Sequence, residues 1–138
     1  MAECSSYIIA FRGLHEAFDY KAFNQYVEIK KSCGEVFSWK ESEKANDFIV
    51  AKNMRYELYG FSKGAETVAK LLPKLKNKPV YILTVGAYKS VDVDFTKYNI
   101  PYDNFYDYSG IGQTSPGKLF RGISHQNIQA YINQFFWV

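Results

Sequence analysis

The segment Gly60-Phe61-Ser62-Lys63-Gly64 constrains this chain more than any other. It lies between a short strand-like run at 56–59 and a helix-forming stretch that begins at Ala65. A G-x-S-x-G sequence in that setting predicts a sharp strand-to-helix turn that lifts the serine hydroxyl clear of a sheet edge. The flanking glycines remove Cβ atoms that would otherwise block such a turn. A chain built on this turn must supply a strand on one side, a helix on the other and further strands to pair with the first. Ser62 is thereby the candidate nucleophile.

The rest of the sequence supplies those elements in alternation. Residues 7–11, Tyr-Ile-Ile-Ala-Phe, form a continuous apolar run of the kind buried on both faces of a parallel sheet. Apolar residues Phe18, Ala22, Phe23, Tyr26 and Val27 then recur at helical spacing over 15–31, until Gly34 stops the helix before a second strand at 35–39. A second helix is expected over 41–53. The third helix buries Ala65, Val68, Ala69 and Leu72 before Pro73 ends its regular part. A fourth strand at 80–85 is apolar enough to be central, a fifth is expected at 104–107, and a closing helix at 125–136. Residues 89–101 fit neither pattern. With no repeat and no low-complexity linker, the reading is one α/β domain over residues 1–138. It is a doubly wound, mostly parallel sheet of about five strands with helices on both faces.

Composition excludes several classes. At 138 residues and 47% hydrophobic content the chain is one domain with enough apolar side chains for a core. The net charge of +3 is spread along the sequence, with no block of like charges to form a nucleic-acid arm or a membrane-surface patch. Cys4 and Cys33 share no metal-ligand spacing, so two reduced thiols are expected, with no metal and no cofactor. No apolar stretch approaches the roughly 20 residues of a membrane span, and the first residues lack a signal-peptide pattern, so a cytoplasmic location is expected. Oligomeric state is left open.

Reactive groups in doubly wound sheets gather at the carboxyl ends of the strands, and the candidate residues fall there. A serine is a weak nucleophile at neutral pH and needs a base, usually an imidazole oriented by a carboxylate. Only His15 and His125 are available. The chain order Ser, acid, His that accompanies this turn selects His125, because His15 precedes Ser62. Asp92, Asp94, Asp103 and Asp107 all lie between the fourth strand and His125. Asp107, at the end of a strand-like run and before Ser109-Gly110, is the favoured acid, with Asp103 and then Asp94 as alternatives. Two backbone N–H donors are needed for the developing oxyanion, and Lys63 and Leu14 occupy the places that supply them.

The run Tyr7-Ile8-Ile9-Ala10-Phe11-Arg12-Gly13 resembles the strand and Arg-Gly turn before the oxyanion residue of fungal-type (class 3) lipases, and 60–65 resembles their nucleophile turn. The resemblance implies an α/β-hydrolase reduced to its central strands. By position it makes Ser62 the nucleophile, Leu14 and Lys63 oxyanion donors, Asp107 the acid and His125 the base. Leu14 stands where those lipases usually have Ser or Thr, and the chain has no residues to spare for a lid. The expected substrate is therefore a small soluble ester or thioester, cleaved through an acyl-enzyme. The alternative is a non-catalytic module, in which the same turn docks an anion or phosphate on its N–H groups and Lys63, or serves as an interaction surface. Dependence on His125 separates the two.

Overall fold

The computed structural model describes residues 4–13, 20–87, 95–106 and 118–119. Strand β1, Ser6–Arg12, leads toward helix α1, Tyr20–Ile29, and β2, Cys33–Ser38. Helix α2, Ser42–Lys52, returns to β3, Arg55–Phe61, which runs directly into α3, Lys63–Leu71. A 3-10 turn, Leu72–Lys74, carries Pro73 in its first turn, so the ring ends the α-helix where the sequence expected it. Strands β4, Tyr81–Val85, β5, Tyr102–Tyr106, and the two-residue β6, Lys118–Leu119, complete the described sheet. The unassigned region contains a short 3-10 turn, Thr96–Tyr98. The expected helix at 125–136 lies outside the described residues.

The sheet has six strands in the order β2-β1-β3-β4-β5-β6, and every described pair is parallel. This is one strand more than expected, since a two-residue strand carries no periodicity to read. From β1 the chain steps outward to β2, then returns to β3 on the other side of β1. One hand of crossover then requires α1 on one face and α2 and α3 on the other. The side chains agree. Ile8, Ala10, Tyr59, Phe61, Leu83 and Val85 pack with Phe23 of α1. Ile9, Phe11, Leu58 and Ile82 pack on the opposite face with Ala45 and Ile49 of α2 and with Ala65, Val68 and Leu71 of α3. Both faces of β1, β3 and β4 are buried over most of their length, which is why β1 and β4 read as nearly continuous apolar runs.

Two glycines let α3 press onto the sheet. A Cβ on Gly60 would lie 2.6 Å from the Gly64 carbonyl oxygen and 2.7 Å from Ala65 Cα, and one on Gly64 would overlap the Phe11 carbonyl. Neither has a positive φ. They therefore serve close helix-to-strand packing, and the unusual backbone of the turn belongs to Ser62 itself.

Cys4 and Cys33 are joined as a disulfide with Cα atoms 5.7 Å apart, which corrects the expectation of two reduced thiols. The parallel register of β1 and β2 sets Tyr7 beside Cys33, so the two cysteines meet across neighbouring strand starts despite a sequence separation of 29. The Ser6 and Ser32 hydroxyls, 2.8 Å apart, meet at the same place. Among the described residues no helix is long and apolar enough to cross a membrane.

Candidate active site

The crevice of a doubly wound sheet opens where the winding reverses, outside the carboxyl ends of the two strands on either side of that point. Here those strands are β1 and β3, and the residues that follow them are Gly13 and Ser62. The two touch: a Cβ on Gly13 would lie 3.0 Å from Ser62 Cβ and 3.5 Å from its Oγ. On the other flank the Ser62 N–H donates to the Val85 carbonyl at 2.8 Å, and the Gly86 N–H donates to the Phe105 carbonyl at 2.8 Å. The ladder thus extends one residue past β3 and β4, and fixes Ser62 at the rim between β1 and β4.

Ser62 has φ 56° and ψ −118°, a region L residues other than glycine seldom enter, and such a residue stores about 1–3 kcal/mol. It also occupies the N-cap position of α3, where serine normally accepts a hydrogen bond from the first helical turn. No side-chain capping bond forms. Lys63 is the first helical residue, so its N–H is one that the helix cannot satisfy internally. The Lys63 ammonium pairs with Glu66 at 2.7 Å, and Lys70 pairs with the same carboxylate at 2.9 Å. The Lys63 hydrogen bond, followed by that of Lys70, holds the Glu66 carboxyl below its usual pKa.

Asp103 is removed from the choice of acids by its position. It is the second residue of β5 and pairs with Leu83, which in turn pairs with Tyr59, three residues before Ser62. At about 3.3 Å per residue and about 4.8 Å per strand, it stands roughly 10 Å short of Ser62 along the strands and two strands to the side. Its carboxylate accepts a 2.6 Å hydrogen bond from the Tyr81 hydroxyl, in a groove at the amino edge with Lys30, Arg55 and Glu57. Strand β5 ends at Tyr106. Leu14, His15, Asp92, Asp94, Asp107 and His125 lie outside the described residues.

Sequence reasoning missed the surroundings of the turn. Trp39, read as the last residue of a strand, instead follows β2 at the same carboxyl edge as Ser62. Its carbonyl accepts a 2.7 Å hydrogen bond from the Thr67 hydroxyl of α3. The Lys40 and Lys63 ammonium groups each lie 5.3 Å from its ring centroid. The loop that presents it is clamped, because the Ser38 N–H donates to Glu41 Oε1 at 2.7 Å and the Glu41 N–H donates to the Ser38 carbonyl at 2.9 Å.

No protein-family model matches the chain, and no curated protein matches it. Solved structures do. An acetyl xylan esterase superposes with a TM-score of 0.59 at 11% identity, covering 97% of this chain and 95% of the other. A cutinase-like protein from Cryptococcus sp. gives a TM-score of 0.55 at 15% identity over 94% and 88%. Human thioesterase 2 gives 0.51 at 11% identity over 96% of each chain. The chain has an α/β-hydrolase fold. In the α/β-hydrolase frame Ser62 occupies the junction of a central strand with the helix that follows it, at the reversal of winding described above.

Proposed function

We propose that this α/β-hydrolase-fold protein is a serine hydrolase that cleaves a small acyl ester or thioester. The observation that carries the reading is the left-handed backbone of Ser62 at the β3–α3 junction. A turn serving only to connect a strand to a helix gains nothing from serine at φ 56°, because glycine takes that conformation without strain. A strained serine whose hydroxyl does not cap the helix fits the elbow that holds a nucleophile above a sheet. The fold neighbours, among them an esterase and a thioesterase, support acyl chemistry.

In the proposed reaction, His125 accepts the Ser62 proton as the hydroxyl oxygen attacks the substrate carbonyl, and Asp107 orients the imidazole. Negative charge on the carbonyl oxygen is met by the Lys63 N–H, left without a helical acceptor at the start of α3, and by the Leu14 N–H after β1. Collapse expels the alcohol or thiol, which takes its proton from His125. Water, deprotonated by the same base, then releases the acid from Ser62. The assignments of His125, Asp107 and Leu14 rest on chain order and on the ends of β1 and β5.

Intact-mass analysis after treatment with a fluorophosphonate tests the reading. One adduct on the native chain, absent from Ser62→Ala and His125→Ala, is the expected result. A native chain that acquires no adduct would overturn it and favour the anion-docking alternative.

A further inference from the structure

Beside the Ser62 turn, between the loop after β2 and the exposed side of α3, lies a groove of about 530 Å³. Four of its lining residues are lysines, Lys40, Lys63, Lys70 and Lys74, against the acids Glu43 and Glu66, and Trp39 forms part of its wall. The groove begins one residue from the candidate nucleophile, since Lys63 follows Ser62 directly and consecutive Cα atoms are about 3.8 Å apart.

The charge in this groove is not balanced from within. Glu66 is taken by Lys63 and Lys70, at 2.7 Å and 2.9 Å. No carboxylate pairs with Lys40 or Lys74 among the described residues. The backbone that presents Trp39 is held in place, because its carbonyl accepts from Thr67 and the Ser38–Glu41 hydrogen bonds close the turn that contains it. An indole in a groove where four lysines face two glutamates attracts a ligand that is anionic and has an apolar or flat portion to lie on the ring.

We propose that this groove holds the anionic arm of the acyl substrate, a phosphate or a carboxylate set several bonds from the reacting carbonyl. This rests on the hydrolytic reading of Ser62 and adds to it the substrate class: a charged ester or thioester, recognised by Lys40 with Trp39 as the platform, while Lys74, at the far end of the groove, adds to its positive potential.

Two readouts test it, one independent of turnover. In a Trp137→Phe chain, Trp39 is the remaining indole, and its fluorescence is titrated at low salt with pyrophosphate and separately with glutarate. A saturable change is expected that weakens with added salt. Lys40→Ala/Lys74→Ala should raise Kd about three- to tenfold, and Glu66→Gln, which releases Lys63 and Lys70, should lower it. The tighter of the two probes distinguishes a phosphate arm from a carboxylate arm. In the second readout, kcat/KM is compared for the 4-nitrophenyl monoester of adipic acid and its methyl-capped neutral counterpart. The charged ester should be preferred, with the ratio falling toward one in Lys40→Ala/Lys74→Ala. Hydrolysis of both esters without charge preference, and with no fluorescence change, would overturn the groove while leaving the hydrolase standing. Saturable binding with neither ester cleaved would overturn the hydrolase and the substrate role, and leave an anion site alone.

Discussion

Gly13, at the end of β1, stands directly against Ser62, so that a methyl group at residue 13 would lie 3.0 Å from Ser62 Cβ and 3.5 Å from Oγ. The two ends of the central strands are thus in contact at the reversal of the winding. Gly13→Ala should displace the Ser62 hydroxyl by a few tenths of an ångström or push the loop after β1 aside. A misplacement of about 1 Å can cost about a hundredfold, so this smaller shift should reduce turnover by less than that. Thermal unfolding should move by only a few degrees, and full ester turnover in Gly13→Ala would refute the placement of the reaction at this contact.

Ser62 carries strain that glycine would relieve. Ser62→Gly and Ser62→Ala should both abolish turnover, but their stabilities should differ in a set direction. The alanine keeps a Cβ at φ 56°, whereas the glycine does not, and the gain is offset in part by the freer unfolded chain. Ser62→Gly is therefore expected to exceed Ser62→Ala by about 1 kcal/mol in denaturant melts. Equal stabilities would show that the left-handed backbone is not strained.

The link from Cys4 to Cys33 predicts a chain with no titratable thiols before reduction. Closing a loop between residues 29 apart restricts the unfolded state by about 3–4 kcal/mol in the chain-entropy account. Reduction, or Cys4→Ser/Cys33→Ser, should lower the midpoint of thermal unfolding by roughly 10 °C. Two titratable thiols in unreduced protein would favour the reduced state expected for a cytoplasmic chain, because disulfides persist mainly in oxidising compartments.

Glu41 gives a pH dependence with a definite sign. The Ser38 N–H foremost holds its carboxyl below the usual range; burial opposes this, and the Lys44 ammonium, by hydrogen bond and by charge, and the Arg12 charge add smaller lowering effects. A carboxyl whose pKa is lowered on folding stabilises the protein above its unfolded pKa and loses that contribution as pH falls through the folded value. The melting temperature of the native chain should exceed that of Glu41→Gln near neutral pH, and the gap should close below about pH 4. A constant gap down to pH 3 would show that the ionised carboxylate contributes nothing to the clamp that presents Trp39.

The α/β alternation, the central places of β1 and β4, the end of α3 at Pro73 and the place of Ser62 at a strand-to-helix turn were all legible in the sequence. Each depends on local chemistry: apolar runs for strands buried on both faces, helical spacing for α2 and α3, a missing N–H at proline, and a G-x-S-x-G turn. What the sequence could not determine are the relations between segments distant in the chain. Cys4 meets Cys33 only because β1 and β2 run parallel in one register, and Asp103 is set apart from Ser62 only because β5 pairs Asp103 with Leu83. Gly13 touches Ser62, and Gly64 touches Phe11, only because β3 returns to the side of β1 opposite β2. Trp39 and Lys63, 24 positions apart, share a groove because both follow the carboxyl edge of one sheet. Periodicity reports what faces a residue buries, whereas strand order and register decide which residues it meets, and the second is a property of the folded chain alone.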